Sequence, residues 1–418
     1  MKINPPQNES YSATVVTIGE VRPIEGADRI AQTTILGFNV IISADTVPGT
    51  RGLFFTPETQ LSYEFAYENN LHQHGNLNKD EGARGYLGDN RRLRSIRLRG
   101  TQSFGLFMGF HSLAYIKGLK TDELTDGTVF DKLGDHEICN KFVIKRKERV
   151  NRVEKNKDKF IRIDKKFLPE HYDSDQWYRH SDEVVDETTV IVTQKLHGTS
   201  IRVGNTIVAR KLTLAERVLQ GLVKVQKTEF DYVFGSRKVI KDVNNPNQNH
   251  FYTTDIWTDE GRKLEGLIPE NFLLYGELIG WTPEATPIQK DYTYNLQPGV
   301  CELYVYRVAF INGQGVVVDL TFDQMVEFCR DRGINTVREL WRGKKKDLDV
   351  AVFSDKKYFD EGYLQAVPLS PESPVDEGIC IRVDGLAPYI LKSKSPLFYE
   401  HETKMLDTGA EDLESEES

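Results

Sequence analysis

Val190-Ile191-Val192-Thr193-Gln194-Lys195-Leu196-His197-Gly198-Thr199-Ser200 is an apolar run that closes on a lysine, a glycine and two hydroxyl residues. The β-branched run reads as a strand and Gly198 as the turn after it. Lys195 then stands at a strand end, where its amine can meet a phosphate that backbone N–H groups also approach. Taken alone, the string is equally a surface lysine in a solvated turn, so its company along the chain decides.

That company comes in a fixed order: Ser236-Arg237-Lys238, Leu274-Tyr275-Gly276-Glu277-Leu278-Ile279-Gly280, Tyr304-Val305-Tyr306, Glu377-Gly378-Ile379-Cys380-Ile381-Arg382 and Leu391-Lys392-Ser393-Lys394. The series resembles the covalent nucleotidyltransferases, which comprise DNA ligases, RNA ligases and mRNA capping enzymes. The resemblance implies an α+β fold, with a nucleotidyltransferase domain of antiparallel sheets and flanking helices. It implies Lys195 as the nucleophile that takes AMP from ATP. Arg237, Lys392 and Lys394 are implied as nucleotide-phosphate cations and Glu277 as the acceptor of ribose hydroxyls. Tyr306 is implied as the ring stacked on the base, with Tyr304 the competing assignment. Gln194 stands where many relatives place a glutamate against the base. Glu377 is implied as the holder of Mg²⁺ or Mn²⁺, hard cations suited to carboxylate oxygen.

The chemistry asks for such residues. A free lysine has a pKa near 10.4, so an attacking amine needs neighbouring cations to disfavour its ammonium form. Charge developing on phosphate oxygens is best met by fixed cations. Lys392 and Lys394, two apart on a strand, face one way while Ser393 faces the other.

His197 occupies the place where DNA ligases and capping enzymes carry aspartate, a substitution shared with some RNA ligases. Arg307 replaces an aspartate common after the aromatic. Arg202 and Arg210 read either as phosphate or 5′-end contacts or as ordinary surface residues. His72 and His74 lack a third ligand in the sequence and make a poor metal site.

Between Tyr11 and about Phe110, short apolar runs broken by Gly and Pro read as a small barrel. Ile24-Glu25-Gly26-Ala27-Asp28-Arg29-Ile30, Leu98-Arg99-Gly100 and Ser103-Phe104-Gly105-Leu106 resemble OB-type, tRNA-binding-like modules. Alternation sends Ile96 and Leu98 inward and leaves Arg97 and Arg99 on an outer basic face. A second basic cluster, Lys145 to Arg152, includes Arg149. Arg97, Arg99 and Arg149 are the expected nucleic-acid contacts, with solvated charge as the alternative. The expected organisation is an OB-like RNA-binding module over 1–150, a charged linker over 151–168, the nucleotidyltransferase domain over 169–402 and an acidic, disordered tail over 403–418. An OB module placed first resembles one group of ATP-dependent RNA ligases. Its implied reaction joins RNA 3′-hydroxyl and 5′-phosphate ends. A DNA ligase or guanylyltransferase with the same lysine chemistry is the nearest alternative, and a catalytically silent RNA-binding protein is the alternative of another class.

Two capping boxes, Thr213-Leu214-Ala215-Glu216 and Thr321-Phe322-Asp323-Gln324, predict helix starts. The first opens a helix with apolar residues at Leu214, Val218 and Leu222. The net charge of −9 over 418 residues disfavours a wholly basic nucleic-acid protein but leaves room for local patches. Four dispersed cysteines suggest neither a zinc ribbon nor a disulfide framework. With no signal segment and no apolar run near the roughly 20 residues of a membrane span, a soluble, cytoplasmic protein is expected.

Overall fold

A computed structural model describes residues 3–143, 161–243 and 251–408. The chain divides into two compact units: Met1–Lys145 with Asp175–Asp182 and Pro396–Glu411, and Arg146–Ser174 with Glu183–Ser395. These limits differ from the linear boundaries expected from sequence. Two later pieces of chain return to the N-terminal unit, and the helix Pro396–Asp407 runs into the stretch expected to be a tail. No helix among the described residues is long and apolar enough to cross a membrane.

In the second unit the ladders between the described strands are antiparallel. One sheet carries the strands Tyr389–Lys394, Gly378–Val383, Thr189–Lys195 and Glu339–Lys344 in that spatial order. The other runs Thr228–Gly235, Thr199–Ala209, Phe272–Gly280, Cys301–Ile311, Val317–Asp319. Val190, Ile191 and Val192 are all buried, as expected of a strand covered on both faces. The turn Leu196-His197-Gly198 is thus the passage from one sheet to the other. Leu273, Tyr275, Val208, Val233 and Ile311 fill the core beneath the second sheet.

Both predicted capping boxes form, over Leu214–Leu219 and Phe322–Arg330. The second helix buries Phe322, Met325 and Cys329. The first does not pack as a structural helix: Leu214, Val218 and Leu222 are 80%, 77% and 83% exposed. Periodicity measures which residues share a face, not whether a neighbour covers that face.

The N-terminal unit is also sheet-rich. Strands Val129–Phe130, Ala13–Thr17, Arg51–Phe55 and Leu106–Gly109 form one sheet, and Val21–Pro23, Ile30–Ile35 and Phe38–Ser43 another. Alternation explains why Val15-Val16 and Leu53-Phe54-Phe55 are continuously apolar. Ala13, Val15, Leu53 and Phe55 enter one core, while Val16 and Phe54 enter a second. The expected OB-like barrel is not confirmed: among the described residues strands of two to six residues pair as separate ladders, and no closed barrel is found.

The expected basic face is also revised. Ser95–Leu98 and Thr101–Phe104 form a hairpin whose turn is Arg99-Gly100, both with positive φ. Arg99 is therefore exposed at a tip rather than on a strand face, and Leu98 is exposed instead of inward. Arg97 pairs with Glu400 at 3.3 Å, on the helix Pro396–Asp407. That helix buries Tyr399 in the second core, and Asp407 pairs with the buried Arg92, which also meets Glu58 at 3.2 Å. Arg149 lies outside the described residues.

Candidate active site

The register of three strands assembles the site. Lys195 pairs with Gly378, and Gly378 with Lys394, so two lysines flank a glycine in one row across the sheet. Gly378 has φ of 146°, and a Cβ there would collide with the Ser393 carbonyl, so glycine is required. Glu377, just before it, is fully buried. Its Oε1 lies 2.8 Å from Lys195 Nζ and 3.2 Å from Lys394 Nζ, and Oε2 lies 3.8 Å from His197 Nδ1. Neither carboxylate oxygen has a well-aligned hydrogen bond among the described residues. Lys392 stands in the neighbouring row, opposite Cys380, on the same face as Lys394.

Glu277 approaches the same turn from the other sheet. Its Oε1 accepts the Gly198 N–H at 3.1 Å, and its Oε2 accepts from the Ser200 hydroxyl at 3.4 Å. Glu377 and Glu277 therefore bracket the lysine turn, one from each sheet.

A β-bulge sets the aromatic residue. Tyr275 pairs with Arg307 and Gly276 with Val305, which leaves Tyr306 as the extra residue. Bulges of this kind re-aim a side chain. Tyr306 is half-buried with Ser200, Glu277 and Arg237 around its hydroxyl. Burial first, then the Glu277 charge, push that hydroxyl above the usual tyrosine range. Tyr304 has another role: its hydroxyl donates to Glu302 at 2.8 Å, and Arg338 covers its ring.

Arg237 follows the strand Thr228–Gly235 and pairs with Asp173. Arg202 is buried and holds this corner: its Nε donates to the Ser236 carbonyl at 2.7 Å and its Nη1 to the Leu168 carbonyl at 2.9 Å. It is thus neither a surface residue nor placed for a 5′ end. Arg210 makes two bonds to Glu216, at 3.1 and 2.7 Å, and steadies the capping box. Arg307, unexplained by sequence, forms a buried two-pronged pair with Asp319, at 2.5 and 3.0 Å, with its guanidinium over the Tyr172 and Tyr275 rings.

Gln194 departs from its expected place against a base. Its amide oxygen accepts the Val367 N–H at 2.8 Å, while Nε2 donates to the Val367 carbonyl at 3.0 Å and to Asp376 Oδ1 at 2.7 Å. Strand alternation turns it away from the face that carries Lys195. Burial pushes Asp376 up to about 7, against the opposing pull of the Tyr358 N–H and the Gln194 amide.

Several residues of the site carry no motif signal. His171 packs its ring 5.0 Å from that of Tyr306. Burial chiefly, then Arg307, Arg237 and Arg382, hold its pKa well below the ordinary histidine value. The unfolded chain therefore takes up this proton first. The stabilisation from a neutral His171 is complete above about pH 6.5 and is lost as pH falls toward the lowered value. His171→Asn is expected to flatten the fall in urea midpoint between pH 7 and pH 5. Equal falls in the two proteins contradict this assignment.

The lysine turn thus lies between two glutamates and beside a strand that carries two further lysines. Residues 188–394, just under half of the chain, match the family model described as RNA ligase, and this stretch belongs to that family. The chain is similar to the solved Naegleria gruberi RNA ligase with PPi, at 18% identity over 94% of this chain and 98% of that one, with TM-score 0.57. A lysine mutant of that enzyme with AMP and Mn aligns at 18% identity over 93% and 98%, with TM-score 0.54. Another with ATP and Mn aligns at 17% over 95% and 99%, with TM-score 0.54. At this identity the likeness is one of fold. No curated protein matches the sequence.

Proposed function

We propose that this chain is an ATP-dependent RNA ligase that joins 3′-hydroxyl and 5′-phosphate ends through lysyl-AMP on Lys195. The observation that carries the reading is the meeting of Lys195, Lys394 and His197 at the buried Glu377, with Glu277 on the adjoining turn. The nucleotides and Mn held by the Naegleria gruberi enzyme support the same reading.

In the first step, Lys195 Nζ as a neutral amine attacks the α-phosphorus of ATP. The N–P bond forms, the bond from that phosphorus to the bridging oxygen breaks, pyrophosphate leaves with the electron pair, and the amine proton passes to solvent. An oxygen of the RNA 5′-phosphate then attacks the same phosphorus, the P–N bond breaks and the lysine regains a proton. Finally the 3′-hydroxyl oxygen attacks the 5′-phosphorus, AMP departs and the hydroxyl proton is released. Lys392, Lys394 and Arg237 hold phosphate oxygens, and Glu277 accepts from ribose hydroxyls. Glu377, a buried carboxylate, would hold Mg²⁺ or Mn²⁺, which when bound would offset charge on the phosphates.

Tyr306 stacks on the base. Tyr306→Ala is expected to raise KM for ATP about tenfold, in line with roughly 1–3 kcal/mol per base stack, while Tyr306→Phe stays near wild type. Equal losses in the two variants would instead place the hydroxyl, not the ring, at the nucleotide. The N-terminal unit is read as the OB-like module that holds RNA, with Arg99 as its exposed cation and Arg97 available once released from Glu400.

The test is incubation with Mg²⁺ and labelled ATP or GTP, then with nicked RNA or DNA. An AMP adduct and sealed RNA are expected. A GMP adduct or sealing of DNA alone transfers the site to the guanylyltransferase or DNA ligase reading, and no adduct at all rejects it.

A further inference from the structure

A strap over residues 288–295 runs past the lysine turn in the second unit and buries Gln289, Tyr292 and Tyr294. Gln289 Nε2 donates to the Gly198 carbonyl at 2.9 Å, and the Tyr294 hydroxyl accepts the His197 N–H at 2.6 Å. On its far side the strap is tied to the segment that leads into Glu377. Tyr292 donates to the Val375 carbonyl at 2.7 Å, and Thr293 and Ser370 share a hydroxyl contact at 2.7 Å. The strap thus joins the two chain pieces that must bring Lys195 and Glu377 together.

Its backbone is held in an unfavourable form. Asp291, Tyr294 and Asn295 all have positive φ, at 65°, 53° and 55°. Asp and Asn enter this region readily, whereas a bulky side chain such as that of Tyr294 rarely does. Such conformations persist where surrounding contacts over-determine them, and they gather at functional sites. Here the left-handed bend accompanies a fully buried phenol that meets a main-chain N–H of the lysine turn.

We propose that Tyr294, seconded by Gln289, is a positioning residue for nucleotidyl transfer: it fixes the Leu196-His197-Gly198 turn so that the Lys195 amine is aligned with the attacked phosphorus. The proposal rests on the lysine reading above. It adds that alignment comes from the strap as well as from the residues that touch nucleotide. A misplacement of about 1 Å at a reacting atom is enough to slow an aligned transfer roughly a hundredfold.

The experiment compares Tyr294→Phe and Tyr252→Phe in the full chain, following AMP-adduct formation over a range of ATP concentrations. Each variant loses one buried hydroxyl bond to this region. That of Tyr252 goes to the Ile288 carbonyl at 2.9 Å, one residue before Gln289, and makes no bond to the lysine turn itself. Tyr294→Phe is expected to lower the rate at saturating ATP roughly tenfold, since it leaves a buried N–H without its acceptor, with KM for ATP within about twofold. Tyr252→Phe is expected to keep the wild-type rate. Equal rates in the two variants, or a loss confined to KM, overturns the proposal. If Tyr294→Phe does not fold, Gln289→Met carries the test, and a wild-type rate there overturns it. Failure of the wild-type protein to form any adduct is a separate outcome that rejects the lysine reading and this proposal with it.

Discussion

Lys195→Ala is expected to carry no AMP after incubation with ATP and Mg²⁺, and to lose RNA sealing by at least about a thousandfold. Lys195→Arg is expected to fail as completely, because a guanidinium stays protonated and cannot attack. Both proteins should remain folded, since Lys195 lies at a strand end and Glu377 keeps Lys394 at 3.2 Å. RNA supplied already bearing AMP on its 5′-phosphate bypasses the lost nucleophile. The variant should seal it far better than unmodified RNA. Mass spectrometry reads the adduct directly, and AMP found on Lys195→Ala removes Lys195 from the mechanism.

Arg307→Met is expected to destabilise the second unit by about 3–5 kcal/mol, the usual cost of leaving one member of a buried pair alone. Asp319 has a side chain only 2% exposed and takes both prongs of the guanidinium. Without Arg307 it must bury a bare carboxylate or take up a proton. The double variant Arg307→Met with Asp319→Leu should recover much of the loss, because the unpaired charge is then gone. Urea unfolding of the single and double variants measures this. If the double variant is as unstable as Arg307→Met, the cost comes from lost packing over Tyr172 and Tyr275 rather than from the stranded carboxylate.

The site was legible wherever one residue type at one spacing is demanded by chemistry. Lys195, Glu377 and Lys394 were read from short motifs, and the structure brings them together because strand register converts sequence spacing into rows. Glu277 was found through its Gly-Glu step. Gln194 was misplaced because adjacency to a nucleophile in sequence is not adjacency in space: consecutive strand residues face opposite ways. Tyr306 is preferred over Tyr304 by resemblance alone, since the bulge at Tyr306 depends on the pairing of its neighbours with Tyr275 and Gly276. Arg97 read as a free cation because its partner Glu400 lies three hundred residues away on a returning helix. The exposed Leu214, Val218 and Leu222 show the same limit from the other side.

By itself the sequence determined the lysine at the strand end, the order of the motifs, the two capping boxes and the apolar runs of the sheets, all of which are local or periodic properties. Only the tertiary structure decided the course of the returning helix, the burial of Arg202 and Arg307, the bulge that singles out Tyr306 and the strap through Gln289 and Tyr294. Each of these depends on pairings between distant residues, and the energy of a buried charge or a strained φ is set by what surrounds it rather than by its neighbours in the chain.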